Sequence, residues 1–413
     1  MNEPVPRTQI AAWWIYDLAN TIYSALFITF FFPLFIKNYA GGNEGHVGLV
    51  ITISTLLSAV MVPLVGALSD QYGRRMPFLI LFTIACCAAT VGVGVSSLQW
   101  ALVLAVFSNF FYSISLAVYD ALLPKLAPPE KQGSVSGWGV GIGYLGTPIS
   151  LVAVSILMYF LGWDTEAGVR ATFWLTAALF LGFALFPFLA IKEPRIASQR
   201  SVGQEIQAAF SDVWKAIRAL PGNPPFLLFL ISAFLFFNAI MAVVVFLFLF
   251  GEEELGLSAE EFVGVYAGLA FAAAFGAGVS GKLTDWLGPK LVLMLSALLW
   301  IAVILTFLQF KNMAFFIGAG MVGGMAMAAY QTAVRPLLIQ FADPEKMGEY
   351  FGFLALINKA SGAVGPLVFG QLVAMFSYNA GLWALLVFFI VGIGCLWFVP
   401  DQRSRFALPG ERK

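Results

Sequence analysis

The chain has 413 residues, of which 60% are hydrophobic and 11% charged, with 22 Lys and Arg balanced by 22 Asp and Glu. A water-soluble domain carries about 25% charged residues, so this chain cannot cover a normal solvated surface. With no net charge, three cysteines and one histidine, it also lacks the basic stripe of a nucleic-acid binder, the ligands of a metal hydrolase and a disulfide framework.

Apolar runs near 20 residues follow one another from end to end, each long enough to cross a hydrocarbon core of about 30 Å as a helix. They are continuous rather than alternating, which predicts helices and not a barrel. Twelve are expected, at 10–36, 46–69, 76–97, 99–123, 134–161, 170–191, 225–250, 261–284, 289–309, 312–337, 348–376 and 381–399. The first run is too long for a cleavable signal and lacks a basic leader, so it is expected to remain as span 1.

Span 1 carries Asp17, with Asn20, Thr21 and Ser24 following at i+3, i+4 and i+7, so the four share one helical face. Trp13 and Trp14 precede it by one turn and, with Trp100, fit an interfacial aromatic belt; the pair could also cover Asp17. Between spans 2 and 3 comes Gly66-Ala67-Leu68-Ser69-Asp70-Gln71-Tyr72-Gly73-Arg74-Arg75. Cys86 and Cys87 in span 3 read as packing, like Cys395 in span 12. Span 4 has a second polar stripe of Asn109, Tyr112, Ser113, Tyr119 and Asp120. Span 5 is rich in glycine, from Gly137 to Gly146 before Thr147-Pro148, which suits close packing or a hinge.

The longest connection, 192–224, opens with Lys192-Glu193-Pro194-Arg195. Within it Val202, Ile206, Ala209, Val213, Ile217 and Leu220 recur at helical spacing, which predicts an amphipathic helix on the membrane face. Span 7 offers Asn238, and the acidic cluster Glu252, Glu253, Glu254, Glu260 and Glu261 follows as a solvated loop. After span 8 the earlier motif returns as Gly281-Lys282-Leu283-Thr284-Asp285-Trp286-Leu287-Gly288-Pro289-Lys290, with Gly, Asp, Gly and the final cation in register. At the same interval Pro129-Glu130-Lys131-Gln132-Gly133 returns as Pro344-Glu345-Lys346-Met347-Gly348. Two separate echoes at one interval predict duplication. Span 10 carries Tyr330, Gln331 and Arg335, and span 11 carries Lys359 beside Asn358 and Ser361.

The expected architecture is an all-α membrane protein of twelve transmembrane helices in two pseudosymmetric six-helix bundles. The bundles are 1–191 and 225–413, the latter with a short tail, and 192–224 is a cytoplasmic linker. With the N-terminus inside, 18 of the 22 Lys and Arg fall on inward segments, which places both termini in the cytoplasm and predicts a bacterial-type inner membrane.

Charges inside a membrane are costly, so Asp17, Asp120, Arg335 and Lys359 are functional candidates. With Asn20, Thr21, Asn109, Tyr112, Tyr119, Asn238, Tyr330 and Gln331 they are the expected substrate and proton cavity. An acid suits the ammonium of a zwitterion and Lys359 its carboxylate, and a buried carboxylate can also carry a proton. In each repeat motif the Asp closes one helix and faces the positive end of another, and Arg74, Arg75 and Lys290 can pair across to the other half. Gly66, Asp70, Gly73, Arg74 and Arg75, with Gly281, Asp285, Gly288 and Lys290, are therefore the expected gate. No catalytic residue, metal or cofactor is expected. A monomer in a lipid bilayer is expected, moving a small solute with protons. A multidrug or lipid exporter and a ligand sensor without flux are the alternatives.

The segment 66–75 resembles the signature between the second and third helices of the major facilitator superfamily, with Gln71 where a cation is usual and, in the second copy, Pro289 replacing another. A narrower resemblance rests on Trp13-Trp14-Ile15-Tyr16-Asp17-Leu18-Ala19-Asn20-Thr21, Tyr119-Asp120-Ala121-Leu122-Leu123-Pro124, Ser136-Gly137-Trp138-Gly139 through Gly143-Tyr144-Leu145-Gly146, and Phe351-Gly352 through Asn358-Lys359 to Gly365-Pro366. These are similar to the vacuole effluxer-like branch, relatives of a fungal vacuolar amino-acid exporter, in which Asn is more usual at the position of Asp120. That resemblance implies export of small solutes, amino acids foremost.

Overall fold

The structure is a computed structural model describing residues 5–163, 165–193, 215, 218, 220–257 and 259–400. Among these there is no strand, and twelve long helices follow one another. They are α1 (Arg7–Asn38), α2 (Glu44–Gln71), α3 (Met76–Val95), α4 (Leu98–Asp120), α5 (Pro129–Leu161) and α6 (Glu166–Ala190). The series continues with α7 (Pro224–Leu255), α8 (Ala259–Leu287), α9 (Pro289–Gln309), α10 (Met313–Phe341), α11 (Met347–Met375) and α12 (Tyr378–Trp397). Eleven are long and apolar enough to cross a membrane; α8 is a helix of 29 residues.

Short polar caps set where these helices begin. Asn43 accepts from the His46 amide at 3.2 Å, while the His46 ring returns to the Asn43 amide, which closes a capping box at α2. Thr165, Asn312 and Ser377 cap α6, α10 and α12 through a side-chain oxygen alone. Gly73 and Gly288 take positive φ, +67° and +97°, in the turns before α3 and α9, where a side chain would be strained.

Two helices depart from regularity. Within α1, Ser24–Phe31 is a π-helix between α-helical Arg7–Tyr23 and Phe32–Asn38. Within α5, the helix Gln132–Tyr144 stops at Leu145 and Gly146–Leu161 resumes. The residues of the expected linker helix, Val202, Ile206, Ala209, Val213 and Ile217, lie outside the described set; Leu220 opens a short 3-10 turn, Leu220–Gly222.

The chain forms two compact units. The described residues within 1–126, 142–213 and 344–353 form unit 1, and those within 127–141, 214–343 and 354–413 form unit 2. Relative to the sequence halves, the start of α5 is gathered into unit 2 and the start of α11 into unit 1.

The core of unit 1 is aromatic. Trp13 and Tyr16 are fully buried. Tyr119 stacks on Trp13 at 4.6 Å and on Tyr16 at 5.0 Å, and Trp13 Nε1 donates to the Tyr119 carbonyl at 3.1 Å. The interfacial role expected of Trp13 is therefore corrected: it joins α1 to α4 inside the unit. Trp100 is exposed. We expect Trp13→Ala to destabilise the protein by about 3–5 kcal/mol, read as a lower Tm in detergent; an unchanged Tm would contradict this packing. In unit 2, Trp300 stacks on Phe389 at 6.1 Å and Phe236 packs on the same ring at 5.8 Å.

Large apolar side chains also cover the outside, among them Leu189 and Phe160, each 77% exposed. Such a surface suits acyl chains and not water.

Candidate functional site

On α1 the predicted polar stripe is buried in unit 1, with Asp17 8% and Asn20 2% exposed. Its hydroxyls turn back on their own helix: Thr21 Oγ1 donates to the Asp17 carbonyl and Ser24 Oγ to the Thr21 carbonyl, both at 3.1 Å. Tyr112 of α4 donates to the Asn20 carbonyl at 3.5 Å. The Asn20 side-chain amide has no hydrogen-bond partner at either Nδ2 or Oδ1 among the described residues. Leaving such a group unpaired in a dry interior costs free energy, which marks it as a place for a polar ligand or water.

The glycines of α5 fit this face. A Cβ at Gly143 would stand 3.5 Å from the Asp17 carboxyl carbon, and one at Gly146 would come within 2.7 Å of the Leu18 carbonyl. The two positions therefore serve close packing against α1.

Other predicted members of unit 1 have separate surroundings. Asn109 donates to Ser54 Oγ at 2.7 Å and so ties α4 to α2. Tyr119 belongs to the aromatic stack described above. Asp120 is the last residue of α4 and half-buried.

Unit 2 holds a second polar group. Asn238 is 1% exposed; its Nδ2 donates to the Phe234 carbonyl at 2.7 Å, while Oδ1 has no partner among the described residues. Ser361 of α11 donates to the same carbonyl at 3.1 Å. Gly365, one turn on, leaves the Asn238 backbone room that a Cβ would fill. Asn358 shares this face of α11, three residues before Ser361, and its buried Oδ1 also has no partner among the described residues. Lys359 is half-buried beside it. Tyr330 donates to the Ala233 carbonyl at 3.2 Å and stacks on Phe237. Gln331 is half-buried, and Arg335 is buried just before Pro336. Within each unit the structure thus gathers part of the predicted set: Asp17, Asn20, Thr21 and Tyr112 in one, Asn238 with the α11 face of Asn358 and Ser361 in the other.

The repeat motifs bind helix starts. In unit 1, Asp70 Oδ1 pairs with Arg75 Nη2 at 2.5 Å, and Oδ2 accepts from the Glu349 amide in the first turn of α11 at 3.2 Å. In unit 2, Asp285 accepts from the Gly133 amide at 2.7 Å, from the Ser134 amide at 2.9 Å and from Ser134 Oγ. Each carboxylate satisfies amides that the helix itself cannot, at its positive end. Glycines allow the approach: a Cβ on Gly66 would overlap the Gly348 carbonyl, and one on Gly137 would stand 2.8 Å from Gly281 Cα.

Two of the motif cations act locally. Arg75 pairs inside its own motif, and Lys290 donates to the Trp397 carbonyl at 2.9 Å, closing the end of α12. The carboxylates, and not these cations, join the motifs to α5 and α11. The sequence does not single out Ser134 or Glu349 as partners, although each repeated Pro-Glu-Lys echo ends at the residue just before one of them. Asp285→Asn should accelerate amide exchange at Gly133 and Ser134 and lower stability by about 1–3 kcal/mol. Unchanged protection of those two amides would contradict the contact.

Among the described residues no group of three or more His, Cys, Asp and Glu could hold a metal.

Comparison with known proteins agrees with this layout. The family model described as Major Facilitator Superfamily matches residues 14–293 and 265–413. An uncharacterized MFS-type transporter, YxiO of Bacillus subtilis, is 24% identical over 411 residues, 95% of each chain. The multi-drug resistance efflux pump PmrA of Streptococcus pneumoniae is 24% identical over 395 residues, 91% of each chain. The human organic anion transporter MFSD10 has the same fold, with a TM-score of 0.76 at 15% identity, covering 95% of this chain and all of that one. A family match across nearly the whole length, on twelve successive long helices whose repeat motifs cap α5 and α11, shows that the chain belongs to the major facilitator superfamily and is a multi-pass membrane transporter rather than an enzyme.

Proposed function

We propose that the chain is a secondary active transporter that exports a small zwitterion, an amino acid or a solute like it, by alternating access coupled to protons. The observation that carries this reading is the buried polar face of α1, where Asp17 lies one turn from an Asn20 amide that has no partner at either end among the described residues. Asp17 suits the ammonium of the solute or a proton; Lys359, with its long flexible amine, suits a carboxylate. The likeness of 13–21 to the vacuole effluxer-like branch supports an amino acid. In this reading the protein works as a monomer in a bacterial-type inner membrane with both termini in the cytoplasm, as the distribution of Lys and Arg favours.

A thermal-shift screen of amino acids, peptides, lipids and drugs on the purified protein tests the substrate class. An amino acid is expected to raise Tm, because a ligand of the native state stabilises it by mass action. In vesicles, Asp17→Asn is expected to abolish the dependence of uptake on pH, and an unchanged dependence would exclude Asp17 as the proton carrier. Multidrug or lipid export is the second reading, favoured by the likeness to the pump PmrA; stabilisation by amphipathic drugs alone would select it. A ligand sensor would bind a solute without flux.

A further inference from the structure

Glu193 follows α6 at the head of the connection between the sequence halves, and it lies outside the polar faces considered above. Its carboxylate is 3% exposed. Oε2 accepts from the amide of Arg75 at 2.6 Å and from that of Met76 at 2.7 Å. Oε1 accepts from Lys125 Nζ at 2.7 Å, and the same ammonium reaches the Gly73 carbonyl at 3.5 Å.

Two consequences follow from these bonds. One carboxylate supplies acceptors to the first amides of α3, the positive end of that helix, although Arg75 at its N-cap makes no side-chain cap of its own. The residue whose amide it holds is also the partner of Asp70. Arg75 gives its guanidinium to Asp70 Oδ1, and Asp70 Oδ2 receives the Glu349 amide. A continuous line of charge-assisted bonds therefore runs from Glu193 through Arg75 and Asp70 to the first turn of α11, all inside unit 1. Hydrogen bonds with an ionised partner are about twice as strong as neutral ones, so this line is stiff.

We propose that Glu193 is the positioning residue of the first repeat motif: by fixing the α2–α3 turn it holds Arg75 on Asp70 and thereby Asp70 on α11. This inference is independent of the identity of the transported solute.

The test is hydrogen–deuterium exchange on the full-length protein in detergent, comparing wild type with Glu193→Gln, which keeps the shape and removes the charge. Amides at the start of α3 should exchange faster. The decisive expectation is that Glu349 and the amides after it in α11 also exchange faster, by about tenfold, the change also expected of Asp70→Ala. Lys125→Gln leaves the two amide contacts of Glu193 in place and should change α11 little. If Glu193→Gln is not recovered folded, Glu193→Asp, one methylene shorter, serves the same comparison. Faster exchange at α3 with α11 unchanged, while Asp70→Ala affects α11, would overturn the proposal and leave Glu193 a local cap.

Discussion

Asp70→Ala is expected to destabilise the protein by about 3–5 kcal/mol. Asp70 and Arg75 form a pair whose side chains are each 5% exposed. Removing the acid leaves a guanidinium in a site built for a neutral pair, and the cost of an uncompensated buried charge exceeds what the pair itself contributes. The same substitution takes the acceptor from the Glu349 amide. Asp70→Asn should cost less, because an amide oxygen can still accept from Glu349. Thermal or chemical denaturation in detergent measures both. Equal stability of the alanine variant and the parent would mean that Arg75 has another partner of equal strength. The double variant Asp70→Ala, Arg75→Ala should recover part of the loss, since no charge is then stranded.

Gly66→Val is also expected to destabilise the protein, by a different route. At Gly66 even a single Cβ would overlap the carbonyl of Gly348 and crowd the Glu349 amide, and at Gly348 a Cβ would overlap the Gly66 carbonyl in return. The obstacle is backbone against backbone, so no rotamer change relieves it. The segment 344–353 must move away from α2 or the side chain must strain, at roughly 1–3 kcal/mol or more. Moving away also breaks the bond between Asp70 and Glu349. Gly182 and Gly318 are controls, because a Cβ at either meets nothing within 4 Å. Alanine there should be neutral or stabilising by up to about 1 kcal/mol, since glycine inside a helix is costly. If Gly66→Val and Gly182→Ala have the same Tm, the close approach of α2 to 344–353 is wrong.

The helices were legible in the sequence because a membrane leaves little freedom: each span must be continuously apolar and close its own hydrogen bonds. The run expected at 289–309 is α9 residue for residue. The other ends moved by a few residues, as at α10, where the expected 312–337 runs on past Pro336 to Phe341. Other features depend on neighbours that composition does not reveal. Nothing in Ser24–Phe31 announces a π-helix, because its apolar pattern suits either helical period. Trp13 reads as an interface residue by type, yet Tyr119 supplies both a stacking face and a carbonyl. The polar face of α1 was visible as i, i+3, i+4 spacing. That Asn20 has no side-chain partner among the described residues was not, since Thr21 and Ser24 turn back on their own helix. The acids of the repeat motifs were marked by repetition, whereas their partners at Gly133, Ser134 and Glu349 emerge only where separate stretches of chain meet within a unit.

Flux across a sealed bilayer tests the central claim most directly. The purified protein, reconstituted in liposomes with an imposed proton gradient, is offered a panel of radiolabelled amino acids and, separately, a fluorescent amphipathic cation. The account predicts that at least one amino acid accumulates against its gradient, that collapsing the proton gradient stops this, and that Asp17→Asn does not accumulate it. Movement of the amphipathic cation with no movement of any amino acid, or binding without any flux, would contradict it.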